Sequence, residues 1–427
     1  MARRKYRSVS VKDVRLETFD EGCADGLVVG IDIAKEKQFA AFMSRDLQVQ
    51  VTVHWQHPTE TRAFVELLLE VRSRTSVEVV MEPSGVYGDS IRYVLHESDF
   101  EVCRVSPKRT HDAAEVYDGV PSLHDAKAAA IIAKLHLDGA SSPWPFRSEE
   151  ERDLVAALRV VEIHHKQARQ GRNRIEGFTA RHWPELTYIL EPKTATLLEL
   201  LSTFGSPQAV AAQPEKAREL MKRVGGSKLA REKIDAIVES AGSTIGVPPT
   251  PGETMAMSSI AIETRRHQLA IRASMKEVEK LSANIESMKT LVPVLGVKTA
   301  ATIIAGAGDP REYGSAKALV KAVGLNLRTH SSGKCKPGKL HITKRGSGMT
   351  RMMLFMAALR LIKSDRIAGA WYEAKVKRSG GRKMPGIVAI MRKLVSALWY
   401  VARGHEFDSR KLFDAQRLDL GSVPAMP

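Results

Sequence analysis

Between residues 27 and 105 the apolar positions fall into short runs separated by polar turns, the pattern of strands interleaved with helices. The runs 27–33, 37–43 and 47–54 predict three consecutive strands. Short turns separate them. A helical pattern then starts at Pro58 and continues to about residue 73. A buried strand is predicted at 77–81, a helix at 86–96, a strand at 100–105 and an alanine-rich helix at 126–137.

The Ser142-Pro143-Trp144-Pro145 stretch predicts a boundary. Beyond it, 149–178 is helical, with Glu149, Glu150 and Glu151 in the first turn, where the helix dipole favours acids. Its later turns carry Arg159, His164, His165, Lys166, Arg169, Arg172 and Arg174. Such a helix is either a solvated face or a surface that tracks phosphates. Residues 184–255 are the least patterned. From 271 onward Met275, Val278, Leu281, Ile285, Met288 and Val292 recur at spacings of three and four, a coiled-coil-like seam that either dimerises or packs within the chain, with assembly the favoured expectation. The expected divisions are a basic tail (1–24), an α/β domain (25–145), a helical and coiled-coil middle (146–290), a mostly helical C-terminal domain (291–405) and a tail (406–427).

Charge sharpens this picture. The chain of 427 residues carries a net charge of +16, which favours a polyanionic partner such as nucleic acid. Three scattered cysteines, Cys23, Cys103 and Cys335, suggest neither a disulfide framework nor a zinc cluster. No apolar run long enough to span a bilayer is expected, and no signal-peptide core follows the basic 3–7 segment, so the expected compartment is the cytoplasm.

Three groups of residues carry candidate chemistry. Asp32 ends the first predicted strand, Glu82 directly follows the strand at 77–81, and Asp125 opens the alanine-rich helix. Three sequential strands followed by alternating helix and strand is, by analogy, the order of an RNase H-like (RuvC-like) domain. In that fold these ends converge, and clustered carboxylates bind Mg²⁺ or Mn²⁺ through oxygen. Taken singly, each acid reads equally as a turn former or a helix cap. The stretch 295–301 around Gly296 and Lys298 suits a helix-hairpin-helix, whose turn amides hold a phosphate, or a plain helix start. Finally, Arg328, Lys334, Lys344, Arg345 and Arg351 surround Ser331-Ser332-Gly333 and Ser347. A serine hydroxyl among cations can attack a phosphate whose developing charge they stabilise; a basic loop with a tight turn is the plainer reading.

Taken together these pieces resemble the DEDD transposases of the insertion-sequence family founded by IS110, relatives of the Piv-type invertases. The resemblance rests on Gly30-Ile31-Asp32, Met81-Glu82-Pro83-Ser84-Gly85, His124-Asp125-Ala126, Gly296 to Ala301, Gly308-Asp309, Gly324-Leu325, Ser332-Gly333, Ile342 to Gly346, Arg351, Lys383 and the segment around Arg392-Lys393-Leu394. It implies a RuvC-like metal-binding N-terminal domain and a C-terminal transposase domain whose serine, matched here by Ser332, joins covalently to DNA. It further implies a structured noncoding bridge RNA that pairs with donor and target DNA, contacts from the basic 149–178 helix, a nucleoid-associated prokaryotic protein, and dimers or tetramers that bring Asp32, Glu82 and Asp125 of one subunit to Ser332 of another. One departure stands out: the family's fourth acid falls on Ala128. His124 or Asp118 is then expected to assist the three acids. The rival expectations are a RuvC-like nuclease that uses water, and an inactive nucleic-acid-binding descendant.

Overall fold

The computed structural model describes residues 7–20, 23, 25–83, 85–144, 146–328, 341–413 and 418. These form two compact units, 1–147 and 148–427.

The first unit is a seven-stranded sheet in the order β1-β4-β3-β2-β5-β6-β7. In chain order its elements are β1 (Ser8–Ser10), β2 (Leu27–Asp32), β3 (Lys37–Ser44), β4 (Val49–Gln56), α1 (Thr61–Arg72), β5 (Val77–Met81), α2 (Asp89–Glu97), β6 (Val102–Arg104), α3 (Pro107–Asp112), α4 (Asp125–Leu137) and β7 (Ser142–Pro143). Strands β2, β3 and β4 form an antiparallel meander, while β5 pairs parallel to β2 and β6 parallel to β5. This mixed sheet is consistent with the expected RuvC-like arrangement. Helices cover both faces, which explains why β2 reads as an unbroken apolar run rather than an alternation. Leu27, Val29 and Ile31 join Phe42, Trp55, Phe64 and Ile91 on one side; Val28 joins Met43, Val80 and the alanines of α4 on the other.

Two segments depart from expectation. The stretch expected as a basic tail adds β1, parallel to β4, and buries Val11, Phe19 and Cys23 in the sheet core. Its basic residues masked a sparse apolar pattern. The stretch at 142–145 lies just before the division between the units at 147/148 and, beyond expectation, also supplies β7, antiparallel to β6; proline is tolerated there because the strand lies at the edge.

The second unit is almost entirely helical. It comprises α5 (Glu149–His182), α6 (Leu186–Ile189), α7 (Ala195–Phe204), α8 (Pro207–Ala212), α9 (Pro214–Gly225), α10 (Arg231–Ser243), α11 (Pro251–Ser282), α12 (Glu286–Leu295), α13 (Val297–Ala307), α14 (Ala316–Ala322), the short strands β8 (Leu327–Arg328) and β9 (His341–Ile342), α15 (Gly348–Ser364), α16 (Arg366–Arg378), α17 (Lys383–Val401) and α18 (Ser409–Leu412). The long helices α5 and α11 pack closely: a Cβ on Gly171 would lie 2.0 Å from the Thr264 hydroxyl. At one end α6 to α10 gather around Trp183, Leu197, Leu201 and Met257.

The expected seam is not one helix. The chain turns after Ser282, so Met275 and Val278 lie on α11 and Met288 and Val292 on α12. These residues pack inside the chain, with Leu154 and Val161 of α5 and with Ile303, Leu354 and Leu394. The same core crosses the expected division at 290 and reaches Phe413, in the segment expected as a C-terminal tail. Among the described residues one helix, α17, is long and apolar enough to cross a membrane, against the expectation of none; half of that stretch is buried, and Ile390, Leu394 and Leu398 place it in the core of this unit.

Candidate active site

The acids are brought together by strand register and one close approach. Parallel pairing of β2 with β5 runs from Leu27 opposite Val77 to Ile31 opposite Met81. Asp32 and Glu82 therefore emerge side by side at the carboxyl ends of neighbouring strands. Helix α4 crosses β2 directly at Gly30. A Cβ there would lie 2.2 Å from the Ala129 carbonyl oxygen and 2.5 Å from the Ala133 amide nitrogen. Asp125, the first residue of α4, stands one turn before Ala129 and contributes its charge to the environment of Asp32.

Burial, followed by the charges of Glu82 and Asp125, pushes the Asp32 carboxyl up to about 7, against a smaller opposing pull from the Ile33 amide. Among the described residues none of the three acids forms an ion pair, and no three acid, imidazole or thiol side chains are drawn together tightly enough to hold an ion as they stand. Three uncompensated carboxylate groups nonetheless make the donor set of a hard divalent cation. Asp32, Glu82 and Asp125 are the residues that would hold it.

The two expected helpers are otherwise engaged. His124 caps α4, its Nδ1 accepting from the Lys127 amide at 3.3 Å. Asp118 accepts from the ammonium of Lys127 at 2.8 Å. Lys127 is only 2% exposed and also donates to the carbonyls of Val120 at 2.6 Å and Ser122 at 3.0 Å. Ala128, where the resemblance calls for an acid, is buried.

In the second unit the candidate phosphate-binding turn sits between α12 and α13, with Gly296 at φ 74°. Lys298 follows in the first turn of α13, its ammonium 3.2 Å from His165 Nε2 on α5. Burial pulls both groups below their usual values, and the charges of Lys298, Arg169 and Arg172 lower His165 further. The structure thus gathers Lys298, Arg169 and Arg172; Arg174 is exposed on the same helix.

The halves of the C-terminal motif meet through two glycines. A Cβ on Gly324 would lie 1.9 Å from the Arg345 carbonyl, and one on Gly346 would lie 2.4 Å from the Ala322 carbonyl. Next to them β8 pairs with β9, Leu327 opposite Ile342. Arg328, Lys344 and Arg345 are exposed here. Arg351 donates to the carbonyls of Arg345 at 2.7 Å and Gly346 at 3.0 Å, so it braces this turn. Ser347 accepts from the Thr350 amide and caps α15. Ser331, Ser332 and Lys334 lie outside the described residues.

Sequence reasoning named Gly30 only as part of a motif and did not single out the role of Lys127 or His165. The Gly-Ile-Asp ending of an apolar strand was the available signal for Gly30; a lysine inside an alanine-rich helix was the signal for Lys127.

Residues 29–184 match the family model for DEDD transposases of the IS110 type, and residues 288–373 match the model described as "Transposase IS116/IS110/IS902 family". Together the two matches span more than half of the chain and contain Asp32, Glu82, Asp125 and the paired glycines.

The chain belongs to the IS110/IS116/IS902 family of DEDD transposases.

Among its relatives is an insertion element IS110 protein of 43.6 kDa from Streptomyces coelicolor, 27% identical over 357 residues, covering 80% of this chain and 85% of that protein. The pilin gene-inverting protein of Moraxella lacunata is 22% identical over 400 residues, 90% of this chain and 98% of its own. The transposase of IS1111A from Coxiella burnetii is 28% identical over 182 residues, 41% of this chain and 48% of its own. Membership implies an enzyme that cuts and recombines DNA, and DEDD transposases typically use divalent metal ions.

The electrostatics of this transposase yield a pH test. The Asp32 pKa is raised on folding from 3.8 to about 7. Its contribution to stability is therefore fully present below the unfolded pKa and is lost as pH rises through the folded one. A divalent ion reverses that loss only where Asp32 is ionised. Mg²⁺ is expected to raise the melting temperature at about pH 8 and to have little effect at about pH 5.5. Equal shifts at both values, measured by differential scanning fluorimetry, would exclude the three acids as the binding site.

Proposed function

We propose that this transposase cuts and rejoins DNA through a covalent phosphoserine intermediate, using Asp32, Glu82 and Asp125 with Ser332. The observation that carries the reading is the convergence of the three acids at the ends of β2, β5 and α4, close enough to lift the Asp32 pKa. Mg²⁺ or Mn²⁺ held there would polarise the phosphodiester and offset charge on the attacking and leaving oxygens. The Ser332 hydroxyl loses its proton and bonds to phosphorus as the bond to a deoxyribose oxygen breaks; that oxygen leaves with a proton. Attack by a new strand's hydroxyl on the phosphoserine reverses the exchange and frees the serine. Arg328, Lys344 and Arg345 are suited to stabilise the charge that develops on the phosphate.

In this reading a noncoding bridge RNA directs the enzyme to donor and target DNA on the prokaryotic nucleoid. The gathering of Lys298, Arg169 and Arg172 beside the Gly296 turn, with Arg174 further along α5, supports a phosphate-backbone contact there. A homodimer or homotetramer would supply the acids and the serine to one reaction from different subunits. The buried alanine at 128 favours a second reading, a nucleic-acid-binding protein that no longer exchanges strands.

One experiment separates these readings. Purified protein with its co-purified RNA is mixed with element-end DNA and Mg²⁺, and denaturant-resistant protein–DNA adducts are sought. The expected result is an adduct from wild type, Ser331→Ala and Ser347→Ala, but none from Ser332→Ala or Asp32→Ala. Metal-dependent cleavage without any adduct would replace the serine mechanism with hydrolysis. Binding without adduct or cleavage would establish the inactive reading.

A further inference from the structure

The edge of the sheet beyond Glu82 carries a cluster that the three-acid site does not use. Parallel pairing places Arg104 opposite Met81, so Arg104 stands on the same carboxyl-end rim as Glu82. The start of α2 lies over the same rim: a Cβ on Gly88 would lie 3.4 Å from Ile33 and 3.6 Å from Met81. From α2, Arg92 lays its guanidinium 4.2 Å from the Trp144 ring and 5.0 Å from the Phe146 ring. Phe146 in turn sits 5.4 Å from Tyr93, which is 42% exposed.

The charge on this platform is poorly balanced. Arg92 is held below its usual pKa, first by burial and then, against the pull of Asp89, by the like charges of Arg147 and Arg104. Among the described residues it pairs with one acid, Asp89, at 3.6 Å, and its Nε is buried with no hydrogen-bond partner. Arg104 and Arg147 have no ion pair among the described residues. Packing alone gives an aromatic cluster no reason to gather three guanidinium groups around it. A ligand with both anionic groups and flat aromatic faces satisfies both halves of the arrangement.

Resting on the reading of the chain as a DNA-cutting enzyme, we propose that this edge binds an unpaired strand of nucleic acid beside the acids, with phosphates at Arg104 and Arg147 and a base stacked on Tyr93. A duplex fits less well, because its bases pair edge to edge and their faces are already stacked on neighbouring bases. The position on the rim suits a strand opened next to the scissile phosphate.

The test uses the full-length protein and fluorescence anisotropy with three probes: a short oligothymidine, the matching oligouridine and a fully paired duplex. Tyr93→Ala is expected to weaken single-strand binding about tenfold, Tyr93→Phe to restore it, and neither to change duplex binding. The Arg104→Ala/Arg147→Ala double variant is expected to lower the salt slope for the single strand by about one to two. Tighter binding of thymidine or uridine then assigns the strand as DNA or RNA; either supports the proposal. Unchanged binding by Tyr93→Ala, an equal loss for duplex, or displacement of the oligonucleotide by inorganic polyphosphate equally from wild type and Tyr93→Ala would overturn it. Binding is read without cleavage, so failure of the phosphoserine mechanism leaves this result intact.

Discussion

Gly30→Val is expected to deprive the transposase of a stable N-terminal unit, and Gly30→Ala to retain a fold whose acids no longer converge. The reason is geometric. The added Cβ meets the Ala129 carbonyl oxygen and the Ala133 amide nitrogen, both backbone atoms of α4, at 2.2 and 2.5 Å. No side chain can rotate away, so the helix must lift from the sheet. Overpacking a core costs about 1–3 kcal/mol where side chains can adjust, and more is expected here. As α4 lifts, Asp125 is carried away from Asp32, and the charge that helps raise the Asp32 pKa weakens. In Gly30→Ala both the melting temperature and the Mg²⁺-induced stabilisation should fall. Gly177→Ala on α5 is the control. It meets nothing within 4 Å and needs no positive φ. Alanine there should be neutral or stabilise by about 0.5–1 kcal/mol. A Gly30→Ala protein with wild-type melting and wild-type Mg²⁺ response would refute the close approach as the device that places Asp125.

Lys127→Met is expected to produce the other large loss. Its ammonium holds Asp118, Val120 and Ser122, clamping the 118–122 loop onto the first turn of α4. Methionine preserves much of the packing volume but leaves a carboxylate only 15% exposed and two carbonyls without this donor. Breaking a buried pair on one side costs about 3–5 kcal/mol, and the slight exposure of Asp118 puts the expectation near the lower figure. Urea unfolding measures it. The Lys127→Met/Asp118→Asn double variant should recover part of the loss, because no uncompensated charge remains. Faster hydrogen exchange in the 118–124 amides and a higher Mg²⁺ concentration for half-maximal stabilisation should accompany the single change. Equal destabilisation by the single and double variants would mean that Lys127 acts by packing alone.

The same two residues mark the limit of what the sequence determined. Apart from the short α3, which no apolar period announced, order and type of the elements from 27 to 137 were legible because each follows from a local period: strands covered on both faces read as apolar runs, and α4 as an alanine-rich helix. The acids were legible for the same reason, since Asp32, Glu82 and Asp125 each sit at an element's end. The helical hairpin at Gly296 was marked by one glycine between two helical patterns. Tertiary structure decided what each apolar face meets. Periodicity records that a face is covered and is silent on what covers it. The seam of Met275 to Val292 therefore suited self-association as well as the intrachain core it joins, and the apolar residues of the first tail were too sparse to announce a strand that only β4 completes. Lys127 would be solvated on an isolated helix; it is buried because three acceptors from the irregular 118–122 segment just before α4 fold back onto it. Gly30 needs no unusual backbone angle of its own, and its requirement comes wholly from the helix above it. Contacts between residues far apart in sequence leave no local period, and they set the distances between the acids.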